Sequence, residues 1–140
     1  MHSQECPRIS EFARRRNGGS PDLRLRTVPL LGGLENCGVF KVEATWTVSG
    51  RPCSDVFVVK RLVDGAIREV AVWRALMATA AAHTMPAMYS AQSLGHREAY
   101  LYLEYVDQSV AWPWRDTSMS VAVLKAVADV HSAFRQRSII

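Results

Sequence analysis

No run of apolar residues in this chain approaches the roughly 18 that a membrane-spanning helix requires. Residues 1–16 are polar and lack the apolar stretch of a secretory signal, so neither membrane association nor export is expected. The cytoplasm is the expected setting. Cysteine is scarce: Cys6, Cys37 and Cys53 cannot all pair, and none stands at a metal-ligand spacing such as C-x-x-C. They read as free thiols in a reducing compartment. A long basic stripe interleaved with aromatics is also missing. The formal net charge is +4, but the only dense cluster is Arg14, Arg15 and Arg16, beside Asn17-Gly18-Gly19-Ser20-Pro21. That pattern argues against nucleic acid as a partner and for a solvated leader.

What is present suits one domain or one lobe of a larger protein. Apolar residues make up 49% of the 140 positions and charged residues 21%, ordinary values for a folded chain. A chain of about this length buries roughly two-thirds of its unfolded surface, enough for a core. Residues 1–21 read as a flexible basic leader ending in a Gly/Ser/Pro breaker. A half-buried strand is predicted over 23–31, with Pro29 at an edge or near the strand's end because it has no N–H to donate. Residues 32–38 are a glycine-rich turn, and β-type residues resume over 39–48. A turn over 49–52 and a third strand over 55–62 follow.

The period then changes. Val70, Trp73, Leu76 and Met77 recur at helical spacing, predicting a helix from 66 to about 82. Residues 88–94 form a candidate fourth strand, 95–98 a hairpin turn, and 99–106 the most strand-like run of the chain. After a polar, Trp-containing linker, a last helix is predicted from 117 to about 137, with Val121, Leu124, Val127, Ala128, Val130 and Phe134 on its apolar face. The order is that of an α+β fold, one helix embedded in a largely antiparallel sheet.

Three features carry candidate chemistry. Gly32-Gly33-x4-Gly38 lies between strands; such a stretch is either a plain hairpin or a loop whose small residues let backbone N–H groups approach phosphate oxygens. It is not a P-loop, lacking the following Lys-Ser/Thr. Lys60 ends the apolar strand face shared by residues 56, 58 and 60, so it must snorkel to water or meet an anion. Glu69 shares a helical face with Trp73 and Leu76. A carboxylate beside core-type residues is unusual unless paired, and Lys60 is the candidate partner. The alternative is a surface salt bridge within its own helix.

Four blocks in order, 31–42 (LGGLENCGVFKV), 57–62 (FVVKRL), 68–76 (REVAVWRAL) and 100–107 (YLYLEYVD), resemble the aminoglycoside phosphotransferase-like branch of the protein-kinase-like superfamily. The resemblance spans roughly residues 23–137. It implies a kinase-like N-terminal lobe over 22–106, with a mostly antiparallel five-stranded sheet and one embedded helix. Residues 107–140 would then be a linker and the first helix of a second lobe. On this resemblance Gly32, Gly33, Asn36 and Gly38 belong to the loop above the phosphates of ATP or GTP. Val39 and Val58 line the base slot, Lys60 touches the α- and β-phosphates, and Glu69 holds Lys60. Glu104, Tyr105 and Val106 form the linker that offers backbone groups to the base edge. His131 would be an ordinary helix residue. The loop carries one residue more before Val39 than the family pattern.

The family's transfer chemistry also needs a catalytic Asp in a His-x-Asp setting and downstream Asn and Asp ligands for Mg²⁺. None of His2, His83, His96 and His131 begins His-x-Asp. The expectation is therefore the nucleotide-binding portion of a phosphotransferase acting on the hydroxyl of a small molecule, inactive alone. The alternative is a non-catalytic nucleotide-binding or scaffolding remnant. An exposed face toward the second lobe is expected, with Trp112, Trp114 and Phe134 as parts and association through it as a consequence.

Overall fold

The computed structural model describes residues 7–30, 38–107 and 117–137. Helix α1 (Pro7–Arg16) leads to strands β1 (Arg24–Pro29), β2 (Val39–Val48) and β3 (Arg51–Val63). A short 3-10 helix, Asp64–Ile67, runs directly into α2 (Arg68–Met77), and a second, Ala80–Thr84, follows. Strands β4 (Met88–Ser93) and β5 (Glu98–Glu104) and helix α3 (Thr117–Arg137) complete the described chain. The strands form one antiparallel sheet in the order β1-β2-β3-β5-β4. The chain is α+β, as its pattern of periods predicts.

Local chemistry accounts for the boundaries. Pro29 closes β1 at a sheet edge, where its missing N–H costs no ladder bond, and the next donor, Leu30 N–H, reaches the Val39 carbonyl at 2.8 Å. The β2–β3 turn is tighter than the sequence predicts. Val48 and Arg51 already pair, leaving Ser49 and Gly50 as a two-residue loop with φ of 49° and 74°. Positive φ at both positions is the requirement of the hairpin turn that matches strand twist.

The helix predicted from 66 to 82 is shorter and breaks at Thr79. Its hydroxyl donates to the Leu76 carbonyl (2.7 Å) and accepts from Ala81 N–H (3.3 Å), ending α2 and capping the 3-10 turn that follows. A Thr side chain competes with the helical backbone in this way, a conflict that apolar periodicity does not register.

Period-two alternation along β3 divides the core into two layers. Phe57 and Val59, with Val42, Tyr100 and Tyr102, face α1. Val58 and Leu62, with Ala99, Leu101 and Leu103, face α2. The first layer corrects the reading of residues 1–21 as a flexible leader. Residues 7–16 are helical; Ile9 and Ala13 are buried on the sheet, and the Phe12 ring stacks on Tyr102 with centroids 3.9 Å apart. The Tyr102 hydroxyl donates to the Arg8 carbonyl at 3.3 Å. Arg16 is not simply solvated: it bonds Asp55 at 2.7 Å and lies 3.8 Å from the centroid of the Tyr89 ring. Mixed charge and a short apolar repeat hid this helix, whose stability comes from packing. Of the three cysteines, Cys53 falls within the described residues and is free.

In α3, Val121, Leu124, Val127 and Phe134 are exposed, so the predicted apolar face is not covered by the rest of the described chain. Trp112 and Trp114 lie outside the described residues. No helix among those described is long and apolar enough to cross a membrane.

Two measurements test this layer. Ile9→Ala lowers the unfolding free energy by about 2–5 kcal/mol, the usual cost of emptying a buried isoleucine site; a leader not docked on the sheet would leave denaturant unfolding unchanged. Asp22, between α1 and β1, accepts hydrogen bonds from the Ser20 and Thr47 hydroxyls and, at 2.9 Å, from Thr47 N–H. These bonds, the Ser20 hydroxyl first, hold its carboxyl below the ordinary carboxylate value. A group depressed in the folded state stabilises above its unfolded value and loses that contribution as pH falls through its folded value. Asp22→Asn therefore shows a smaller loss of stability on acidification than the parent, read from thermal midpoints across a pH series.

Candidate ligand-binding face

The positions of Lys60 and Glu69 follow from the end of β3. Asp64, at φ 50°, turns the chain off the strand, and its N–H is held by the Arg97 carbonyl at 2.8 Å. Asp is among the few residues that occupy the left-handed region at modest cost. The 3-10 helix then passes immediately into α2, so Lys60 and Glu69, nine positions apart in the chain, come face to face.

Lys60 Nζ donates to Glu69 Oε1 at 2.6 Å, the pairing expected from the sequence. Both side chains keep about a quarter to a third of their accessible surface, 26% and 30%. At such exposure solvent screening and side-chain entropy leave an ion pair worth under about 1 kcal/mol. The pair therefore does little for stability. What it provides is a lysine ammonium at a fixed place.

The register supplies the surroundings. Val39 lies directly opposite Lys60 on β2, and Lys41 opposite Val58. Val39, Lys41, Val58 and Lys60 thus share one face, the face on which α2 packs. Val39 and Val58 are half-buried. On the other side of β3, Leu103 pairs with Val58 and Glu104 with Phe57, so residues 104–106 leave the sheet beside the valine floor. Glu104 is engaged there: its N–H donates to the Ala87 carbonyl at 2.8 Å, and its carboxylate accepts from Ala87 N–H at 3.0 Å. Tyr105 is half-buried and Val106 exposed.

Of the glycine loop, Gly38 is described; Gly32, Gly33 and Asn36 lie outside the described residues. Gly38 sits at the start of β2, its carbonyl accepting from Arg61 N–H at 2.8 Å. A Cβ here would come within 2.6 Å of the Phe40 ring, so a larger residue at this position requires that ring to move.

Two participants were not marked as such in the sequence. Lys41 Nζ bonds Glu43 Oε1 at 2.9 Å and lies 4.7 Å from the Tyr105 ring centroid, reaching across β3 to the segment that follows β5. The bond between them pushes the Lys41 ammonium up and holds the Glu43 carboxyl down. The signal was available, since 39 and 41 share a face by the strand period, though its meaning depends on where Tyr105 falls. The second is Trp73, placed by its spacing as a core residue. Its indole N–H donates to Glu69 Oε1 at 3.2 Å.

A separate surface hollow lies between residues 78–83 and α3, lined in part by His83, Asp129 and Ser132. His83 Nδ1 there contacts the Ala80 carbonyl at 2.6 Å. Among the described residues no hydrogen bond or ion pair joins His83 to Asp129 or Ser132, so these three are not arranged as a hydrogen-bonded nucleophilic constellation. His131 is an exposed residue of α3.

Comparison of the chain with protein-family models, with curated proteins and with solved structures gives no match.

The low energetic value of the pair is measurable. A double-mutant cycle of Lys60→Ala and Glu69→Ala returns a coupling of under about 1 kcal/mol in denaturant unfolding. A coupling of 3 kcal/mol or so would instead mark a buried structural bridge.

Proposed function

We propose that this face binds the phosphates and base of ATP or GTP, and that the chain is the nucleotide-binding portion of a small-molecule phosphotransferase of the aminoglycoside phosphotransferase-like kind. One observation carries the reading: a strand lysine, held by a helix carboxylate, borders a floor of half-buried valines next to the strand that leads into a linker. An ion pair of small structural value is the arrangement a ligand site needs, because it orders the ammonium before the ligand arrives.

The roles follow from the chemistry of each group. Lys60 offers three donors on a compact charge, suited to oxygens shared between neighbouring phosphates. Glu69 keeps that charge near the sheet when no anion is present. Val39 and Val58 offer apolar contact to one side of a base. The backbone of 105–106 borders its edge, while the Glu104 N–H is already committed to Ala87. These residues fit a phosphate anion. Among the described residues no three His, Cys, Asp or Glu side chains converge as metal ligands. For these 140 residues the proposed act is therefore binding, with transfer to a hydroxyl acceptor requiring groups this sequence does not contain in a His-x-Asp setting.

Thermal unfolding with and without ATP, and with GTP in parallel, tests the proposal. Nucleotide at about 100 times its dissociation constant adds roughly 2.7 kcal/mol and raises the midpoint by several degrees. Lys60→Ala abolishes the shift while leaving the ligand-free midpoint close to that of the parent. A cooperatively folding sample that gains nothing from either nucleotide would sink the reading.

A further inference from the structure

We infer that Trp73 is a positioning residue, which fixes the Glu69 carboxylate for Lys60 through its indole N–H. The inference rests on the nucleotide reading only for its consequence in affinity; the contact itself stands apart from it.

Three observations converge on Trp73. Its indole N–H and the Lys60 ammonium donate to the same oxygen, Glu69 Oε1, at 3.2 and 2.6 Å. Glu69 and Trp73 stand four residues apart on α2, so the helix itself sets their separation. The Trp73 ring packs against the layer of Leu62, Val70, Ala99, Leu101 and Leu103, the same layer that sits under α2. The indole is therefore anchored by the core at one end and spends its only donor on the carboxylate at the other.

The energetic logic is one of entropy. A glutamate on a helix surface samples several rotamers, and a half-exposed lysine contact alone is too weak to hold one of them. A second donor that packing has already ordered removes that freedom at no further cost in lysine entropy. The indole contact also has an ionised acceptor, which makes it stronger than a neutral hydrogen bond, and its donor is carried by a ring that packs on the core rather than by a flexible chain. Placement of the Lys60 ammonium then depends on how α2 sits on the sheet.

The test separates this role from packing. Trp73→Phe keeps an aromatic ring and removes the donor. In the parent protein the Trp73 indole resonance, assigned among the four tryptophans, moves upfield in Glu69→Ala, while that of Trp46 stays in place. An indole resonance indifferent to Glu69 overturns the inference, and this measurement does not require the Phe variant to fold. In Trp73→Phe the rate of Lys60 acetylation at fixed pH rises toward its value in Glu69→Ala. A purely structural tryptophan leaves it at the parent value, which also overturns the inference. Where ATP stabilises the parent, its affinity falls about tenfold in Trp73→Phe. Where ATP does not bind the parent, the nucleotide reading fails and the resonance and acetylation results alone decide the role of Trp73.

Discussion

Strand β3 has a helix on each side, and its alternation sends successive apolar side chains from Phe57 to Val59 to opposite layers. Phe57 and Val59 meet α1, whereas Val58, Lys60 and Leu62 lie on the face of α2. A slip of one residue would send Lys60 toward α1 and Phe57 toward α2, burying a charge and exposing a ring. The register with β2 and β5 is thus doubly enforced. It places Val39 opposite Lys60 and Leu103 opposite Val58, and so decides which groups can share a ligand.

On that scaffold the polar chemistry of the face is shallow. Lys60 and Glu69 are too exposed for their pair to contribute much to folding, and Lys41 and Glu43 form a second surface pair on the same face. Strength is not what these contacts offer. Each lysine is held near the sheet by a carboxylate, and an ammonium has further donors to offer an anion, which is the physical basis for proposing a nucleotide site here. The Lys41 contact with Tyr105 ties β2 to the segment after β5 across β3, so the two bear on the same patch.

Much of this was legible beforehand. The five strands, the period change before α2 and the facing of Lys60 toward Glu69 came from alternation, helical spacing and the rarity of an unpaired carboxylate beside core residues. Three features were not legible, each for its own reason. Helix α1 is ten residues of mixed charge whose propensity is weak and whose stability depends on Phe12, Ile9 and Ala13 meeting the sheet. The break at Thr79 arises from a hydroxyl capturing a helical carbonyl, which leaves the apolar period intact. What lies against the apolar stripe of α3 is the third, because periodicity says which residues share a face and nothing about what covers it; an exposed face that includes Phe134 was expected, and Phe134 is exposed.

The sequence by itself determined the α+β class and the order of the five strands, α2 and α3, because these depend on local periods of two and 3.6 residues, while it offered Lys60 only as the candidate partner of Glu69. Tertiary structure alone decided that α1 backs the sheet, that Lys41 reaches Tyr105, and that the Trp73 indole is spent on Glu69. The first two are contacts between elements distant in the chain, set by strand register and packing. The last follows from the ring's direction, which neighbouring core residues impose and helical spacing leaves open.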